Sequence, residues 1–419
     1  MSPRVERWLP LLLAGVAILV WIGPLQWIAG GINQISDIAT YESAYRHMAA
    51  GELPYRDFGL EYPPLAALLF YVAGVLPGSY SFAFGGLMLL ALVATVVAVT
   101  LTARALGMSP GRQVAAGGVV ALSPLLLGDL LVTRFDLVLA ALIAWMLWSV
   151  VTDRMGWAWV ILGAAIVLKL VPLAFIPVLL ILHARRHGVG AMLRGAAAGA
   201  AVVVLVAVPV LITAPSGLWG TLSYHLDRPL QLESTASAYL MGLRVLAGIP
   251  LAVETSFGSQ GLSGGGPDVL ALLSTVVLVV LIAAIALGVA RALAASPPAA
   301  DSAVFIAGIA ATTTSLLVAG KVLSPQFLVW LLPSVLLITG RFGWAAVGVS
   351  VAALLATQAY FPSQYWDLVA LQDPAMGLLL LRDALLIVLL TLVWPRRPAT
   401  STRRRGSPGG SVPARYLVE

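Results

Sequence analysis

Residues 269–290 read VLALLSTVVLVVLIAAIALGVA, a run of 22 residues without a charged side chain that is bounded by Asp268 and Arg291. A helix needs about 20 apolar residues to cross the hydrocarbon core of a bilayer. The run is nearly continuous Leu, Val and Ala, whereas a membrane strand would alternate apolar and polar residues. It therefore predicts a transmembrane helix.

The composition of the whole chain follows the same pattern. Of its 419 residues, 60% are apolar and 10% are charged, and the mean hydropathy is +0.98. These values lie outside the range of soluble domains and predict an all-α polytopic membrane protein. The chain has no cysteine, which excludes disulfides, thiolate metal sites and a cysteine nucleophile.

The apolar runs, combined with the bias of Arg and Lys toward the cytoplasm, predict about twelve spans with both termini cytoplasmic. The predicted spans are 8–29, 80–106, 112–128, 135–152, 156–170, 172–184, 193–213, 268–295, 302–320, 323–339, 342–360 and 376–394. The run 63–77 is flanked by Pro-Pro and Pro-Gly pairs and is predicted to be a juxtamembrane or re-entrant segment on the outer face. Residues 1–394 form one predicted transmembrane domain with outer loops at 30–79 and 214–267. Residues 395–419 are a predicted disordered, basic cytoplasmic tail.

The charges separate across this topology, with most arginines on the predicted inner side and most acids on the outer side. The net charge of +6 is therefore mainly an inner-leaflet feature, which suits anionic membrane lipids rather than nucleic acid. The sequence has no Walker-type phosphate loop, dinucleotide fingerprint or HExxH pair. Its four histidines are scattered, so no histidine metal site is predicted.

Only two of the basic residues are lysines, Lys169 and Lys321, and both stand at the ends of long apolar runs. A cation at membrane depth is costly and usually faces a cavity or a partner. The two lysines therefore predict an anionic ligand, most simply a phosphate. Two other readings stay open: Lys321 extends to the outer interface, and Lys169 pairs with Asp136 or Asp129 to hold helices together.

The first outer loop has the pattern of an ordered helix. Ser36 is a predicted cap, Asp37 stands at the first turn, Tyr41 follows on the same face and Gly51 ends the helix. The helix dipole favours the ionised form of a carboxylate at this position. Asp37 is either an ordinary capping carboxylate or a fixed charge at a functional site.

Other polar residues offer further candidates. His225, Arg228 and Glu233 lie in the second outer loop, where residues 235–249 predict an amphipathic helix on the membrane and 258–266 a mobile turn. His225 alone is typical of a hydrogen-bonding residue. Three alternatives concern pairs and caps: Arg134 with Asp136 as an internal pair, Arg382 with Asp383 as a buried pair or a donor contact, and Ser324 as a helix cap.

The order of these features resembles the C-superfamily of membrane glycosyltransferases (GT-C), and within it bacterial family 87, whose known members include polyprenyl-phosphate-mannose-dependent α-mannosyltransferases. The matching pieces extend over about residues 8–394. They are Asp37 with Tyr41, Gly51-x-x-Pro54-Tyr55, Tyr62-Pro63-Pro64-Leu65, Arg134-Phe135-Asp136, Lys169-Leu170-Val171-Pro172, the loop from His225 to Ser234, and the segment from Lys321 to Phe327.

The resemblance implies a catalytic domain with a GT-C-like fold and places the catalytic base on Asp37. Sugar transfer from a lipid phosphate to a hydroxyl needs one base for the incoming proton and cations for the departing phosphate. Lys321, Arg228 and Lys169 are the predicted phosphate ligands, and the expected outcome is inversion. Glu42 and Asp57 are candidates for a second acid. The further substrate-site candidates are Tyr41, Asp57, Glu61, Tyr62, Arg134, Asp136, His225, Glu233, Ser324, Gln326 and Arg382.

Together with these features, the resemblance implies an inverting glycosyltransferase of the bacterial plasma membrane with its active site on the outer face. The expected donor is a polyprenyl-phosphate sugar, by family resemblance mannose, and the acceptor is a glycolipid, a glycan or a protein. No cofactor is predicted, and a need for a divalent metal is left open. The alternative is a transporter or flippase for a lipid-linked or anionic solute, but the internal repeats typical of transporters are not evident.

Overall fold

The computed structural model describes residues 3–23 and 35–397. The predicted tail at 395–419 therefore lies almost entirely outside the described residues, as does the end of the first predicted span. The described chain is mainly helical, and its first half contains α1 (Pro3–Ile22), α2 (Ile38–Ala49), α3 (Pro64–Val75), α4 (Tyr80–Ala105), α5 (Pro110–Leu127), α6 (Leu130–Thr133), α7 (Asp136–Val151), α8 (Met155–Leu168) and α9 (Ile176–Thr213).

The second half combines helices with three short strands. Its elements are α10 (Pro215–Asp227), β1 (Leu230–Gln231), α11 (Thr235–Ala247), β2 (Ala252–Ser256), β3 (Ser259–Ser263), α12 (Gly265–Ala294), α13 (Asp301–Ala319), α14 (Leu332–Val335), α15 (Gly343–Tyr360), α16 (Tyr365–Val369) and α17 (Asp373–Val393). Short 3₁₀ turns cover Val171–Phe175, Pro298–Ala300, Pro325–Leu331 and Gly340–Phe342.

Seven helical stretches of the described chain are long and apolar enough to cross a membrane. One of them runs from Val171 to Thr213, but Gly188 has a φ of +80° and divides it into two helices. Four further apolar helices have 10–17 residues, including α3, α7 and α8. A multi-pass membrane protein is thus supported, whereas the number of about twelve spans stays a prediction.

Close packing between spans depends on small residues. A Cβ added at Gly163 would lie 2.4 Å from the carbonyl oxygen of Gly199, and one at Gly199 would lie 2.7 Å from that of Trp159. Helices in membranes approach closely where such small residues face each other. These glycines fix α8 against the second half of α9, and so place Lys169, which follows α8 directly.

The first long loop is held to the helical bundle by aromatic rings. Tyr41 of α2 stacks on Phe70 of α3 with ring centroids 4.3 Å apart. Tyr62 and Phe135 meet the same cluster edge-on, at 5.7 and 5.8 Å from Tyr41. Buried aromatic contacts of this kind each contribute about 0.5–1.5 kcal/mol beyond area burial. They fix α2, and with it the residue that precedes it, Asp37.

The second long loop contains an antiparallel sheet with strand order β1-β3-β2, which an all-α prediction misses. The prediction of a mobile turn at 258–266 is wrong, because residues 259–263 pair with 252–256 and Leu262 is fully buried opposite Leu230. Phe257 and Gly258 form the hairpin turn with φ values of 49° and 64°. The strands are short and rich in small residues, so they lack the alternation that identifies strands in sequence.

Candidate active site

Asp37 lies at the start of α2, where side chains from three elements meet. Its Oδ2 is 2.9 Å from the Nε of Arg134, and the hydroxyl of Tyr41 donates to Oδ2 at 3.2 Å. Ser36 Oγ accepts from the backbone N–H of Ile38 at 3.2 Å, whereas the Asp37 side chain makes no cap hydrogen bond. Asp37 is therefore not occupied as a capping carboxylate. Its side chain stays 33% exposed.

The surroundings of Asp37 make its carboxylate more basic. Burial raises the pKa of Asp37 above its ordinary value, and the Arg134 guanidinium only partly offsets this effect. The nearby Glu61 carboxylate raises the same pKa further by repulsion. A carboxylate with a raised pKa accepts a proton more readily and suits general-base chemistry.

Glu61 thus lies near Asp37, whereas the two predicted candidates for a second acid, Glu42 and Asp57, have other partners. Glu42 binds Arg46 at 2.7 Å. Asp57 binds the adjacent Arg56 at 2.7 Å and accepts from the backbone N–H of Leu53 at 2.8 Å. These bonds lower the pKa of Asp57 to about 2. Such a low pKa suits a loop-stabilising carboxylate rather than a base.

The prediction that Arg134 pairs with Asp136 is wrong. The two side chains leave Phe135 in different directions: Arg134 reaches Asp37, and Asp136 binds Lys169 with Oδ1 and Nζ 2.6 Å apart. Trp330 Nε1 donates to the same Oδ1 at 2.7 Å. Arg134 has an extended backbone between α6 and α7, whereas Asp136 begins α7, so the two side chains point to different neighbours despite their closeness in sequence.

The pairing of Lys169 with Asp136 agrees with one of the two open readings, and the Lys169 amine also lies among aromatic rings. Its Nζ is 5.0 Å from the ring centre of Phe135, 4.6 Å from that of Phe327 and 4.9 Å from that of Trp330. Cation–π contacts in a desolvated setting contribute up to about 2 kcal/mol. The Asp136 carboxylate also raises the pKa of Asp37 by repulsion. The Lys169–Asp136 ion pair and Asp37 are therefore electrostatically coupled.

Lys321 follows Gly320, the residue after the end of α13, and is only partly buried. Its Nζ donates to the carbonyl oxygen of Leu226 at 2.6 Å, and its own carbonyl accepts from the N–H of Gln231 at 2.9 Å. Burial lowers the pKa of Lys321; the nearby Asp227 carboxylate partly offsets this effect, and the positive charge of Arg228 adds to it. Lys321 and Arg228 therefore form a second cationic centre. Among the described residues, the Lys321 amine donates to a neutral carbonyl oxygen.

The remaining candidates near this cationic centre are Arg228, Ser324 and Gln326. Arg228 donates to Ser259 Oγ at 2.9 Å and lies 5.8 Å over the ring of Tyr224. Ser324 does not cap the following 3₁₀ turn; its Oγ accepts from Gln231 Nε2 at 3.0 Å. Gln326 is half-buried in that turn.

The two long loops touch each other beside Asp37. His225 Nε2 donates to the carbonyl oxygen of Glu61 at 3.1 Å, and Thr221 Oγ1 donates to that of Leu60 at 2.8 Å. The Tyr55 hydroxyl closes the first loop on the carbonyl oxygen of Tyr62 at 2.6 Å. His225 thus acts as a hydrogen-bonding residue that holds the second loop against the segment carrying Glu61 and Tyr62.

A third polar group, the Arg382 clamp (Arg382, Asp383, Glu233 and Tyr360), is buried between the second loop and the spans α15 and α17. Arg382 Nε is 2.7 Å from Asp383 Oδ1, and Arg382 Nη2 donates to the carbonyl oxygen of Glu233 at 2.5 Å. The Tyr360 hydroxyl donates to Glu233 Oε1 at 3.0 Å. The geometry agrees with the alternative in which Arg382 and Asp383 form a buried pair. The same arginine also holds the second loop against the spans through the carbonyl oxygen of Glu233.

We expect the stability of the protein to depend on the protonation of Glu233. Burial raises the pKa of Glu233 to about 7 from the ordinary 4.5, so the folded state binds this proton more tightly than the unfolded chain does. The resulting stability is present below the ordinary pKa and is lost as the pH rises through 7. The melting temperature in detergent should fall between about pH 5 and about pH 8.

The Glu233→Gln variant should lose this pH dependence, because an amide still accepts from Tyr360 but does not ionise. Glu254→Gln, an exposed position on β2, is the matched control and should keep the wild-type profile. Equal pH profiles for wild type and Glu233→Gln would contradict the assignment.

Sequence reasoning missed Trp330 and Tyr360, which contact candidate acids. Both lie in apolar runs, where an aromatic residue is ordinarily read as core or interface. The only signal in the sequence was that an acid elsewhere in the membrane domain needs a hydrogen-bond donor, which a Trp N–H or a Tyr O–H can supply. Among the described residues, no group of three or more His, Cys, Asp or Glu residues is arranged to hold a metal ion.

The fold and these polar groups define a class: a multi-pass helical membrane protein in which an acid with a raised pKa and several cations lie where two long loops meet the spans. The model of glycosyltransferase family 87 matches residues 60–320. The chain belongs to glycosyltransferase family 87. The matched residues include Arg134, Lys169, Arg228 and Glu233, whereas Asp37 and Lys321 lie outside them.

Comparison with solved structures finds similarity to the oligosaccharyltransferase of Archaeoglobus fulgidus in its apo form. The TM-score is 0.46, the sequence identity is 12%, and the match covers 96% of this chain and 57% of the other. The chain thus spans little more than half the length of that protein. No curated protein matches the chain.

Proposed function

We propose that this protein transfers a sugar, by family resemblance mannose, from a polyprenyl-phosphate donor to an acceptor hydroxyl on the outer face of the bacterial plasma membrane. Membership of glycosyltransferase family 87 supports the reaction type. The observation that carries the mechanism is the geometry of Asp37: a carboxylate fixed by Arg134 and Tyr41, raised in pKa, and one-third exposed.

Asp37 acts as the base in this proposal. Among the described residues, both of its contacts use Oδ2, which leaves Oδ1 to receive the proton. As the acceptor oxygen loses its proton to Oδ1, it forms a bond to the anomeric carbon from the face opposite the phosphate. The carbon–oxygen bond to the phosphate breaks, and its electron pair stays on the departing polyprenyl phosphate. One displacement of this kind inverts the anomeric carbon.

The leaving group needs charge stabilisation rather than a proton, because a phosphate leaves as a stable anion. Lys321 and Arg228 are the best-suited cations, since neither is paired with a carboxylate among the described residues. Lys169 is coupled to Asp37 through Asp136, which also neutralises the Lys169 charge. We therefore assign phosphate binding to Lys321 and Arg228 and a supporting electrostatic role to Lys169.

The direct test is reconstitution of the purified protein in liposomes with radiolabelled polyprenyl-phosphate mannose and a glycoside acceptor. A new glycosidic product with inverted configuration is the expected result. Movement of the labelled lipid between leaflets without any glycosidic product would instead support the flippase alternative and reject the proposal.

Lys321→Met is expected to raise the KM for the lipid-phosphate donor about 10- to 100-fold, because a charge-assisted hydrogen bond to phosphate contributes about 1.5–3 kcal/mol. Methionine keeps much of the side-chain volume and removes the charge. Arg56→Met, an exposed cation of the first loop, is the control and should leave the donor KM unchanged. An unchanged donor KM in Lys321→Met would remove Lys321 from the phosphate site.

A further inference from the structure

A depression of about 410 Å³ lies against α2 in the first long loop and has no part in the chemistry described so far. Its lining residues are Ala39, Thr40, Ser43, Ala44, His47, Phe58, Gly59 and Leu60. The volume falls in the range of small-molecule sites, about 300–1,000 Å³.

The depression begins beside Asp37. Thr40, Ala44 and His47 stand three, seven and ten residues after Asp37 on α2, and this spacing places all four on one face of the helix. At about 1.5 Å per residue the face extends roughly 15 Å from Asp37 to His47. Any ligand in the depression therefore lies along a line that leads to the proposed base.

The opposite wall also leads to Asp37. Phe58, Gly59 and Leu60 continue directly into Glu61, whose carboxylate raises the pKa of Asp37, and into Tyr62, whose ring meets Tyr41. The depression is thus bounded by two segments that converge on the same residue. A ligand between them would have one end directed toward Asp37.

The chemistry of the lining favours a saccharide. Thr40 and Ser43 carry hydroxyls and are exposed, and Ala44 and Leu60 form a buried floor. The rings of His47 and Phe58, which both line the depression, stack face to face with centroids 4.8 Å apart, so only the outer face of each ring can serve as an aromatic wall. The C–H face of a pyranose packs on the negative face of such rings.

The charge of the lining is low. No lysine, arginine, aspartate or glutamate lines the depression, and the His47 Nδ1 is engaged by Glu52 at 2.8 Å. An uncharged ligand with many hydroxyls meets these conditions, whereas the phosphate of the donor does not. The phosphate is better served by Lys321 and Arg228.

We propose that this depression is the binding subsite for the acceptor saccharide, with the acceptor hydroxyl at Asp37 and further sugar units along α2 toward His47. This inference rests on the proposed function. It adds that acceptor recognition is built into the first loop, separate from the cations that bind the donor.

The test uses the full-length protein and two variants. Ser43→Trp fills the depression, and Phe58→Ala removes its aromatic wall. Ala49→Trp, an exposed position on the same helix that does not line the depression, controls for the added bulk. The probes are n-octyl glycosides of mannose, glucose and arabinose, supplied as acceptors and as ligands in saturation-transfer NMR.

Both variants should raise the KM for the accepted octyl glycoside about tenfold or more with no change in the donor KM, while Ala49→Trp behaves as wild type. The saturation transfer to that glycoside should disappear in Ser43→Trp. Unchanged acceptor KM and unchanged NMR signal in both variants would overturn the subsite, as would the absence of any saturation transfer to wild type.

The two proposals can fail separately. If no glycosidic product forms but an octyl glycoside binds wild type and not Ser43→Trp, the transferase proposal fails and the saccharide subsite stands. If product forms and both variants keep the wild-type acceptor KM, the transferase stands and the subsite is rejected.

Discussion

Asp37→Asn is expected to lower kcat for sugar transfer about 10²- to 10⁴-fold while the protein folds and binds its donor as before. Loss of a general base costs about this much. Asparagine has the shape of aspartate and can still accept from Tyr41, so the loss should appear in the chemical step. The measurement is product formation from a radiolabelled polyprenyl-phosphate sugar at saturating donor and acceptor.

Asp57→Asn is the matched control for this variant. It changes an acid of the same loop that binds Arg56 and the N–H of Leu53 rather than Arg134, and we expect turnover close to that of wild type. The pH profile adds a second readout. Because the pKa of Asp37 is raised by burial, wild-type activity should rise with pH. The midpoint of this rise should lie above the ordinary pKa of an aspartate. Turnover of Asp37→Asn within a factor of about two of wild type would exclude Asp37 as the base.

Arg382→Leu is expected to destabilise the protein by about 3–5 kcal/mol, because it leaves Asp383 as a buried charge without its partner. It also removes the donor to the carbonyl oxygen of Glu233. The melting temperature in detergent and the yield of monodisperse protein should both fall. Arg382→Leu is thus expected to lower the stability of the fold, whereas Asp37→Asn is expected to lower kcat.

The double variant Arg382→Leu with Asp383→Leu separates charge from packing. Replacing both partners of a buried pair by apolar residues is often neutral or stabilising, so the double variant should recover much of the lost stability. A single variant as stable as wild type would show that the Arg382 clamp does not hold the second loop.

The helical architecture can be predicted from the sequence, because each span is encoded by its own apolar run. Residues 269–290 need no other part of the chain to be read as a helix, and α12 occupies Gly265–Ala294. The start of α2 at Ile38, next to Asp37, follows from local signals of the same kind. The small sheet of the second loop was not predictable in this way, because Leu230 and Leu262 pair across 32 positions.

The candidate site is only partly predictable for the same reason. Asp37 can be selected because a helix start and a resemblance both point to it. Its neighbours Arg134 and Glu61 belong to other segments, and the nearness of Arg134 in sequence to Asp136 suggested the wrong pair. Ion pairs between spans depend on helix rotation and tilt, which an apolar run does not encode.

The two proposals together assign the donor phosphate and the acceptor to different segments of the chain. The cations Lys321 and Arg228 lie on the second loop and the segment after α13, and the uncharged depression lies on the first loop. Hydrogen bonds from His225 and Thr221 join the two loops at Glu61 and Leu60. Asp37 stands near this junction, where an acceptor hydroxyl and a lipid-linked sugar would meet.

The proposal that connects these observations is that Asp37, Lys321 and Arg228 serve one reaction centre. Its most direct test is an experimental structure of the Asp37→Asn variant with a bound polyprenyl monophosphate. We expect phosphate density within about 3 Å of Lys321 or Arg228, with an open path from the phosphate to residue 37. Phosphate bound away from Lys321, Arg228 and Lys169, or residue 37 closed off from it by packed side chains, would rule out a shared reaction centre.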